Sequence, residues 1–224
     1  MAITLSKHRM RASEILFDIG AVHFNLEEPF VFTSGWASPV YVNCRKLIST
    51  TWQRREIIQI AAEGIERDVG LDGFDVVAGG ETAGIPDAAW IADYFHRPMV
   101  YVRKRTKEFG LKQRIEGVLG PNQRVLIVED LMTDGMSKVD FANALKDAGA
   151  SVEHALVVFN YGVYPDTEKN LAGVGLSVHA LTDWSTTLDF AESGGYFTPE
   201  QVKEVRAFLS DPSGWSEAHG GVSG

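Results

Sequence analysis

The sequence contains a single cysteine, Cys44, and no long apolar run. One cysteine excludes an internal disulfide framework and cysteine-rich zinc sites, and it fits a reducing compartment. No apolar stretch reaches the ~20 residues of a membrane-spanning helix, and the start, MAITLSKHRMRASEIL, lacks the apolar core of a secretory signal. The sequence therefore predicts a soluble, cytoplasmic protein without a membrane partner.

Several signatures of catalysis and metal binding are also missing. There is no G-x-x-x-x-G-K-S/T loop of nucleoside triphosphatases, no G-x-G-x-x-G dinucleotide fingerprint and no G-x-S-x-G elbow of a serine nucleophile. The six histidines show no close metal-ligand spacing, so no dedicated protein metal site is predicted. A net charge of -9 argues against a nucleic-acid partner.

The most informative feature that is present is the segment RVLIVEDLMTDGMSK, residues 124–138. Residues 125–128 form an apolar, β-branched run suited to a buried parallel strand, and residues 138–148 carry apolar residues at helical spacing. The loop between them therefore joins the carboxyl end of a strand to the amino end of a helix. Open α/β sheets bind ligands at such junctions.

Each residue type in this loop suits a sugar phosphate. Gly135 can adopt a positive φ and lets backbone amides approach a phosphate, while Thr133 and Ser137 add hydroxyl donors. Ser137 is also placed like a helix N-cap. Glu129 and Asp130 are poor phosphate ligands but good acceptors for vicinal hydroxyls. The alternative is a strand that ends in solvated acids, and the ordered combination of acids, glycine and hydroxyls favours ribose plus phosphate instead.

The sequence VLIVEDLMTDGMS resembles the phosphoribosyl pyrophosphate (PRPP) signature of type I phosphoribosyltransferases, although Asp134 and Met136 replace small residues there. Residues 30–49, 79–86 and 101–110 resemble, in order, the orotate phosphoribosyltransferase family. The resemblance implies an α/β fold with a parallel sheet flanked by helices. It also implies a small hood from about residues 1–50 and the C-terminal part, within a single domain at 1–212.

The function implied by the resemblance is transfer of ribose 5-phosphate from PRPP to orotate, which forms orotidine 5-monophosphate and pyrophosphate in pyrimidine (UMP) biosynthesis. Mg²⁺ is the implied cofactor, and it would be held mainly by PRPP and water. A homodimer with active sites shared between subunits is also implied. Two alternatives stay open: a phosphoribosyltransferase for another base, and a PRPP-sensing regulator without catalysis.

A cluster of cations follows residue 102 in this otherwise acidic chain: Arg103, Lys104, Arg105, Lys107, Lys112 and Arg114. Seen alone, such a run is typical of a solvated loop. By resemblance it is a flexible catalytic loop that reaches the neighbouring subunit's site and stabilises the departing pyrophosphate. Arg103, Lys104 and Lys107 of this chain match the basic positions of that family loop. Lys107 is the first choice for the catalytic cation.

The resemblance also assigns residues to each part of the site. The implied catalytic residues are Lys107, Arg103, Lys104, Asp130 and Glu129. The implied PRPP-binding residues are Thr82, Ala83, Arg103, Lys104, Lys107, Glu129, Asp130, Leu131, Met132, Thr133, Asp134, Gly135, Met136 and Ser137. The implied orotate-binding residues are Tyr41, Val42 and Thr133. Gly79, Gly80 and Gly84 are expected to let a loop approach pyrophosphate closely, while Glu81 has no clear role.

Several anion contacts of the family are absent from this chain. Thr33 and Ala83 replace lysines, Phe109 replaces a histidine, and Tyr161 replaces an arginine that touches orotate. On charge alone, the candidates to replace them are Arg45, Lys46, Arg105 and Lys112.

The remaining pattern predicts an alternating α/β core. Strands are expected at 74–79, 98–103, 124–129, 152–159 and 176–181, after a β-hairpin-like region at 29–43. Helices are expected at 9–20, 52–68, 84–95, 137–148, 186–193 and 199–209, the last with a capping box at Thr198 and Gln201 and with Pro199 in its first turn. The Gly- and Ser-rich end, residues 213–224, is predicted to be a mobile tail.

Overall fold

Short β-branched runs that alternate with amphipathic helices build one open sheet with helices on both faces. The computed structural model describes residues 2–32, 35–105 and 113–222. The strands are β1 (Val22–Phe24), β2 (Phe30–Val31), β3 (Ala37–Ser38), β4 (Val40–Val42), β5 (Val76–Gly80), β6 (Met99–Val102), β7 (Ile115–Glu116), β8 (Arg124–Met132), β9 (Ser151–Asn160) and β10 (Ser177–Asp183). The α-helices are α1 (Ala2–Asp18), α2 (Thr51–Asp68), α3 (Gly84–Tyr94), α4 (Met136–Asp147), α5 (Thr167–Gly173), α6 (Trp184–Ser193), α7 (Pro199–Ser210) and α8 (Pro212–Ala218).

Within the described residues the central sheet has the strand order β10-β9-β8-β5-β6-β7. All neighbouring strands run parallel except β7, which pairs antiparallel with β6. Two small antiparallel sheets, β1 with β4 and β2 with β3, lie outside it. The predicted α/β fold with a parallel sheet flanked by helices is therefore confirmed, and the antiparallel edge strand β7 was not predicted. We call β1–β4 together with α8 the hood.

The strand β8 shows how the core is divided between the two faces of the sheet. Its side chains alternate in direction, so Val125 and Ile127 pack in the same cluster as Phe141 of α4. Leu126 and Val128 belong to the opposite cluster, which includes residues of α1, α2 and α3. Burial of each such side chain contributes about 1.5–3 kcal/mol. Because both faces are covered, the carboxyl ends of the strands are left as the accessible edge.

The helix starts show one confirmed prediction and one error. At α7 the Thr198 hydroxyl accepts the Gln201 amide hydrogen, and the Gln201 side chain accepts from the Thr198 amide, so the predicted capping box is present. At α4 the N-cap is Gly135, with φ of 78°, rather than Ser137. The Asp134 carboxylate accepts the Met136 amide hydrogen at 3.1 Å and thereby caps the helix from one residue earlier.

The carboxyl terminus differs from the predicted mobile tail. Residues 212–218 form α8, and the Trp215 ring is 5.6 Å from that of Phe208 between centroids and is only 6% exposed. The Ser216 hydroxyl accepts the Ala37 amide hydrogen at 2.9 Å, and the Val222 amide donates to the Gly35 carbonyl at 3.0 Å. The expectation of little burial was wrong because Trp215 packs against Phe208 of α7, while the hydrogen bonds of Ser216 and Val222 join the segment to residues 35–37. Residues 223 and 224 lie outside the described part.

In the described part of the chain, no helix combines the length and the apolar character that a membrane crossing requires.

Candidate active site

A cavity of about 760 Å³ opens at the carboxyl end of β8, between the start of α4 and the hood. It is lined by Val31, Phe32, Trp36, Tyr41, Val42, Asn43, Arg45, Glu129, Asp130, Leu131, Thr133, Asp134, Met136, Ser137, Lys138, Tyr161, Tyr164, Pro165, Asp166, Thr167 and Asn170. Segments far apart in the sequence therefore meet the β8–α4 loop in one concave site, which is the usual form of a small-molecule pocket.

The β8–α4 loop has the backbone geometry of an anion site. Gly135 is in the left-handed region, which residues with a side chain rarely adopt. The loop leads directly into the 12-residue helix α4, whose positive end faces it. The Asp134 carboxylate already accepts the Met136 amide hydrogen, so a phosphate that takes this amide must displace it. This loop can bind a phosphate group through amides and through the hydroxyls of Thr133 and Ser137.

Glu129 forms a buried ion pair that the sequence did not suggest. Its Oε2 is 3.1 Å from Lys138 Nζ, and the two residues are 7% and 3% exposed. Lys138 also donates to the Leu131 carbonyl and, at 3.3 Å, to the Ser137 hydroxyl. The lysine thus ties the end of β8 to the first turn of α4. It was missed because a lysine in the first turn of a helix usually points to solvent.

The Glu129 carboxylate also explains two glycines, Gly80 at the end of β5 and Gly84 at the start of α3. A Cβ on Gly80 would come within 2.2 Å of Glu129 Oε1, and one on Gly84 within 2.3 Å. Glycine was expected there so that the loop could approach pyrophosphate, but the structure gives a nearer reason, namely space for Glu129. Oε1 itself is buried without a hydrogen-bond partner among the described residues.

Three acids crowd this end of the cavity. Burial, with the nearby Asp130 and Glu129 charges, raises the pKa of Asp87 to about 8. Burial also raises the pKa of Glu129 to about 7, partly offset by Lys138, and raises the pKa of Asp130. The sequence reading overlooked Asp87, although an acid inside the apolar run GIPDAAWIADY was a signal. The acids repel one another, so a bound cation would stabilise their charged forms.

The opposite side of the cavity is aromatic. Tyr41 lies 5.6 Å from Phe30 and 6.3 Å from Phe32 between ring centroids. The Val42 amide donates to the Tyr161 hydroxyl at 3.3 Å, and Tyr161 is 2% exposed. Tyr161 is therefore a buried support for the aromatic wall, which consists of Tyr41 and its neighbours Phe30 and Phe32. This wall offers a flat apolar face and a backbone edge to a planar ring.

The cavity brings together most of the predicted binding residues, namely Tyr41, Val42, Glu129, Asp130, Leu131, Thr133, Asp134, Met136 and Ser137. The Met132 side chain instead packs in the core, and its carbonyl accepts the Tyr161 amide hydrogen. Thr82, Ala83, Arg103 and Lys104 are not among the residues that line it.

The structure gives Glu81 a structural contact, because its Oε2 accepts the Lys104 amide hydrogen at 2.8 Å. Arg103 lies 3.8 Å from Glu116, and Arg114 forms a bidentate pair with Asp140 of α4. These contacts hold both ends of the basic segment. Lys107, Phe109 and Lys112, like Thr33, lie outside the described residues.

The parallel sheet with its hood, and the acids and glycine loop at the β8–α4 junction, define a type I phosphoribosyltransferase. The fold matches that of Leishmania donovani UMP synthase with a TM-score of 0.77 and 26% identity, over 90% of this chain and 42% of that one. It matches orotate phosphoribosyltransferase from Aeropyrum pernix with a TM-score of 0.70 and 28% identity, over 83% and 99% of the two chains.

Sequence similarity shows which family of type I phosphoribosyltransferases the chain resembles. The chain is 48% identical over 203 residues to orotate phosphoribosyltransferase of Jannaschia sp. (strain CCS1), and the match covers 91% of this chain and 89% of the relative. No family model matches the chain. At this identity and coverage, the chain belongs to the orotate phosphoribosyltransferase family.

Proposed function

We propose that this protein transfers the 5-phosphoribosyl group of PRPP to N1 of orotate, forming orotidine 5-monophosphate and pyrophosphate in pyrimidine biosynthesis. The observation that carries the proposal is that an aromatic wall faces a phosphate-type loop across the same cavity, in a chain of this family. A planar base and a ribose phosphate need these two surfaces on opposite sides of the reacting carbon.

The reaction exchanges one bond at the anomeric carbon for another. The bond from C1 to the pyrophosphate oxygen breaks, the bond from C1 to orotate N1 forms, and the N1 proton is lost. The protein positions both substrates and stabilises the charge that builds up on the pyrophosphate. Asp130, which lines the cavity, accepts hydrogen bonds from the ribose hydroxyls. The β8–α4 loop holds the 5-phosphate.

Glu129 acts beside Asp130 at the ribose, and its pairing with Lys138 fixes its orientation. The cations Lys107, Lys104 and Arg103 stabilise the leaving pyrophosphate, with Lys107 as the principal group. The side chains of Arg103 and Lys104 do not line the cavity, so this role requires the basic segment to close over bound PRPP. Thr82 and Ala83 offer backbone groups to the pyrophosphate.

Mg²⁺ is the proposed cofactor, and the residues present fit it. Burial, together with the neighbouring charge of Asp130, raises the pKa of Glu129, and a bound cation would favour the charged forms of both acids while PRPP brings further negative charge. The residues that would face the metal are Asp130 and Glu129, through water, while PRPP supplies most of its oxygen ligands. When bound, the metal neutralises the pyrophosphate charge.

We also propose a homodimer with shared active sites, in which the basic segment of one subunit serves its partner. Mixing inactive Lys107→Ala and Asp130→Asn proteins tests this arrangement. Shared sites would restore activity in about one quarter of the sites, because half the dimers are mixed and each has one intact site. No recovery on mixing would contradict shared sites. A cytoplasmic location is part of the proposal, supported by the single, buried thiol of Cys44.

The central test is a turnover assay with purified protein, PRPP and Mg²⁺, in which the loss of orotate absorbance is followed. Parallel reactions contain uracil, hypoxanthine or adenine, and a control contains a chelator. Metal-dependent consumption of orotate alone supports the proposal. Consumption of another base, or PRPP binding without turnover, would contradict it.

A further inference from the structure

The charges that line the cavity are unevenly distributed. Among its described lining residues, the cations are Arg45 and Lys138. Lys138 is buried and is already bound to Glu129 Oε2 and the Leu131 carbonyl. It therefore cannot turn toward a ligand without leaving the Glu129 carboxylate buried and unpaired, which is strongly unfavourable.

Arg45 is in the opposite situation. Its side chain is 64% exposed, and its Nε lies 3.9 Å from Asp130 Oδ2, beyond hydrogen-bond distance. Such a loose, exposed ion pair contributes little to stability. Within the described residues, Arg45 is thus the cavity-lining cation whose guanidinium remains available to a ligand.

The local fold places this guanidinium beside the aromatic wall. Arg45 lies three residues after Val42, in a 3₁₀-helix at Cys44–Ser49. The helix is anchored by the buried side chains of Cys44 and Leu47, so its backbone is fixed while Arg45 faces outward. Arg45 therefore lies on the hood side of the site but within reach of Asp130, at the boundary between the base and ribose positions.

Orotate differs from uracil by a carboxylate next to N1, the atom that bonds to the ribose. This group is negatively charged at neutral pH, and binding it in a cavity rich in acids requires a cation. A guanidinium is well suited, since it can bind a carboxylate with two parallel hydrogen bonds. The Tyr161 that replaces the arginine of the family pattern carries no positive charge and is only 2% exposed, so it does not supply this cation.

We propose that Arg45 binds the carboxylate of orotate and makes the site select orotate over uracil. The proposal rests on the proposed function and assigns the specificity of that reaction to one residue. On binding, the guanidinium exchanges its loose contact with Asp130 for the substrate carboxylate. Asp130 is then free to accept hydrogen bonds from the ribose, so the base and the sugar phosphate support each other's binding.

The test compares two nucleotides that differ only in the carboxylate. Dissociation constants for orotidine 5-monophosphate and uridine 5-monophosphate are measured by calorimetry for the wild type, Arg45→Gln and Arg45→Lys. Arg54→Gln is the control, because Arg54 carries the same charge on α2 but lies over the Trp90 ring and outside the cavity.

We expect Arg45→Gln to weaken orotidine 5-monophosphate binding by about 10- to 150-fold, the range for losing a hydrogen bond to a charged group. Binding of uridine 5-monophosphate should change less than about threefold on the same reasoning. Arg45→Lys should recover part of the loss, and Arg54→Gln should match the wild type. In turnover, KM for orotate should rise while KM for PRPP stays nearly constant.

Equal weakening of both nucleotides would overturn the proposal, because Arg45 would then act on the ribose or phosphate. No weakening of either would also overturn it, because Arg45 would then make no contact with the carboxylate. These outcomes differ from a failure of the proposed function. If the proposed function were wrong, the wild type itself would neither consume orotate nor prefer orotidine over uridine monophosphate, and both proposals would fall.

Discussion

The two ends of the cavity are built on different principles. The proposed phosphate end, residues 129–138 with the 80–84 loop, is centred on the buried Glu129–Lys138 ion pair. The proposed base end, residues 41–45 with Tyr161, is an aromatic wall beside the exposed guanidinium of Arg45. Charge in the first region is therefore coupled to folding, whereas the exposed charge in the second region is accessible to a ligand.

The largest effect should come from breaking the phosphate end with Lys138→Met. This change leaves Glu129 buried without its cation, so it should lower the free energy of unfolding by about 3–5 kcal/mol. Chemical denaturation followed by circular dichroism measures the loss. The double variant Glu129→Gln/Lys138→Met removes both charges and should recover most of the stability. If the single variant were as stable as the wild type, the pair would not couple charge to folding.

The second largest effect should be on kcat, with no change in the free energy of unfolding. Lys107→Ala should lower kcat by a factor on the order of 10² or more, because one contact to the leaving pyrophosphate is lost. The unfolding free energy should stay close to that of the wild type. Steady-state kinetics at saturating PRPP measures the change, with Lys203→Ala, an exposed lysine of α7, as the control. A loss smaller than about threefold would remove Lys107 from the mechanism, given the size expected of such contacts.

A substitution at the base end should change the affinity for orotate rather than the stability of the fold. Tyr41→Leu removes the flat aromatic face and should weaken orotate binding by about 1–3 kcal/mol, the usual range for stacking of a base on an aromatic side chain. Titration calorimetry with orotate measures it. Phe30→Leu is the matched control, since Phe30 contacts the Tyr41 ring but does not line the cavity. If both variants bind orotate equally well, Tyr41 is not the stacking face.

The smallest effect should appear as a pH dependence of stability at Asp87. Its pKa is raised from 3.8 to about 8 by burial and the neighbouring acids. Between these values the folded state holds a proton that the unfolded state has released, so this group destabilises the fold as pH rises. Asp87→Asn removes the dependence. Its stability relative to the wild type should therefore increase by about 2 kcal/mol from pH 6 to pH 8.

Thermal unfolding at several pH values measures this difference. The melting temperature of Asp87→Asn relative to the wild type should rise by roughly 4–8 °C across that interval for a chain of this size. A difference that is constant with pH would show that Asp87 does not carry a raised pKa in the folded protein.

The order of residues in one segment was enough to predict the strand–loop–helix junction at the proposed phosphate end. Glu129, Asp130, Thr133 and Gly135 are neighbours in the chain, and a strand followed by a helix leaves their loop few possible geometries. The pairing of Glu129 with Lys138 was not predictable in the same way. It depends on both side chains turning inward under the 80–84 loop, which no local pattern encodes.

The base end required the tertiary structure. Tyr41, Arg45 and Tyr161 are separated by up to 120 positions in the chain, and only the folding of the hood onto β8 and β9 brings them together. Resemblance identified the residues missing from the family pattern but not the one that could replace them. Only the positions of the two side chains show which of Arg45 and Lys46 can reach a ligand. Arg45 lines the cavity, whereas Lys46 donates to the Gly20 carbonyl and does not line it.

The alternation of strands and helices and the position of the β8–α4 loop could be predicted from the sequence, because they follow from local periodicity and turn chemistry. The tertiary structure was needed to show which charges are buried, which cavity-lining cation among the described residues is exposed and how Trp215 packs against Phe208. Burial and charge pairing depend on contacts between distant segments, and the energy of a charge depends on these surroundings more than on its place in the chain.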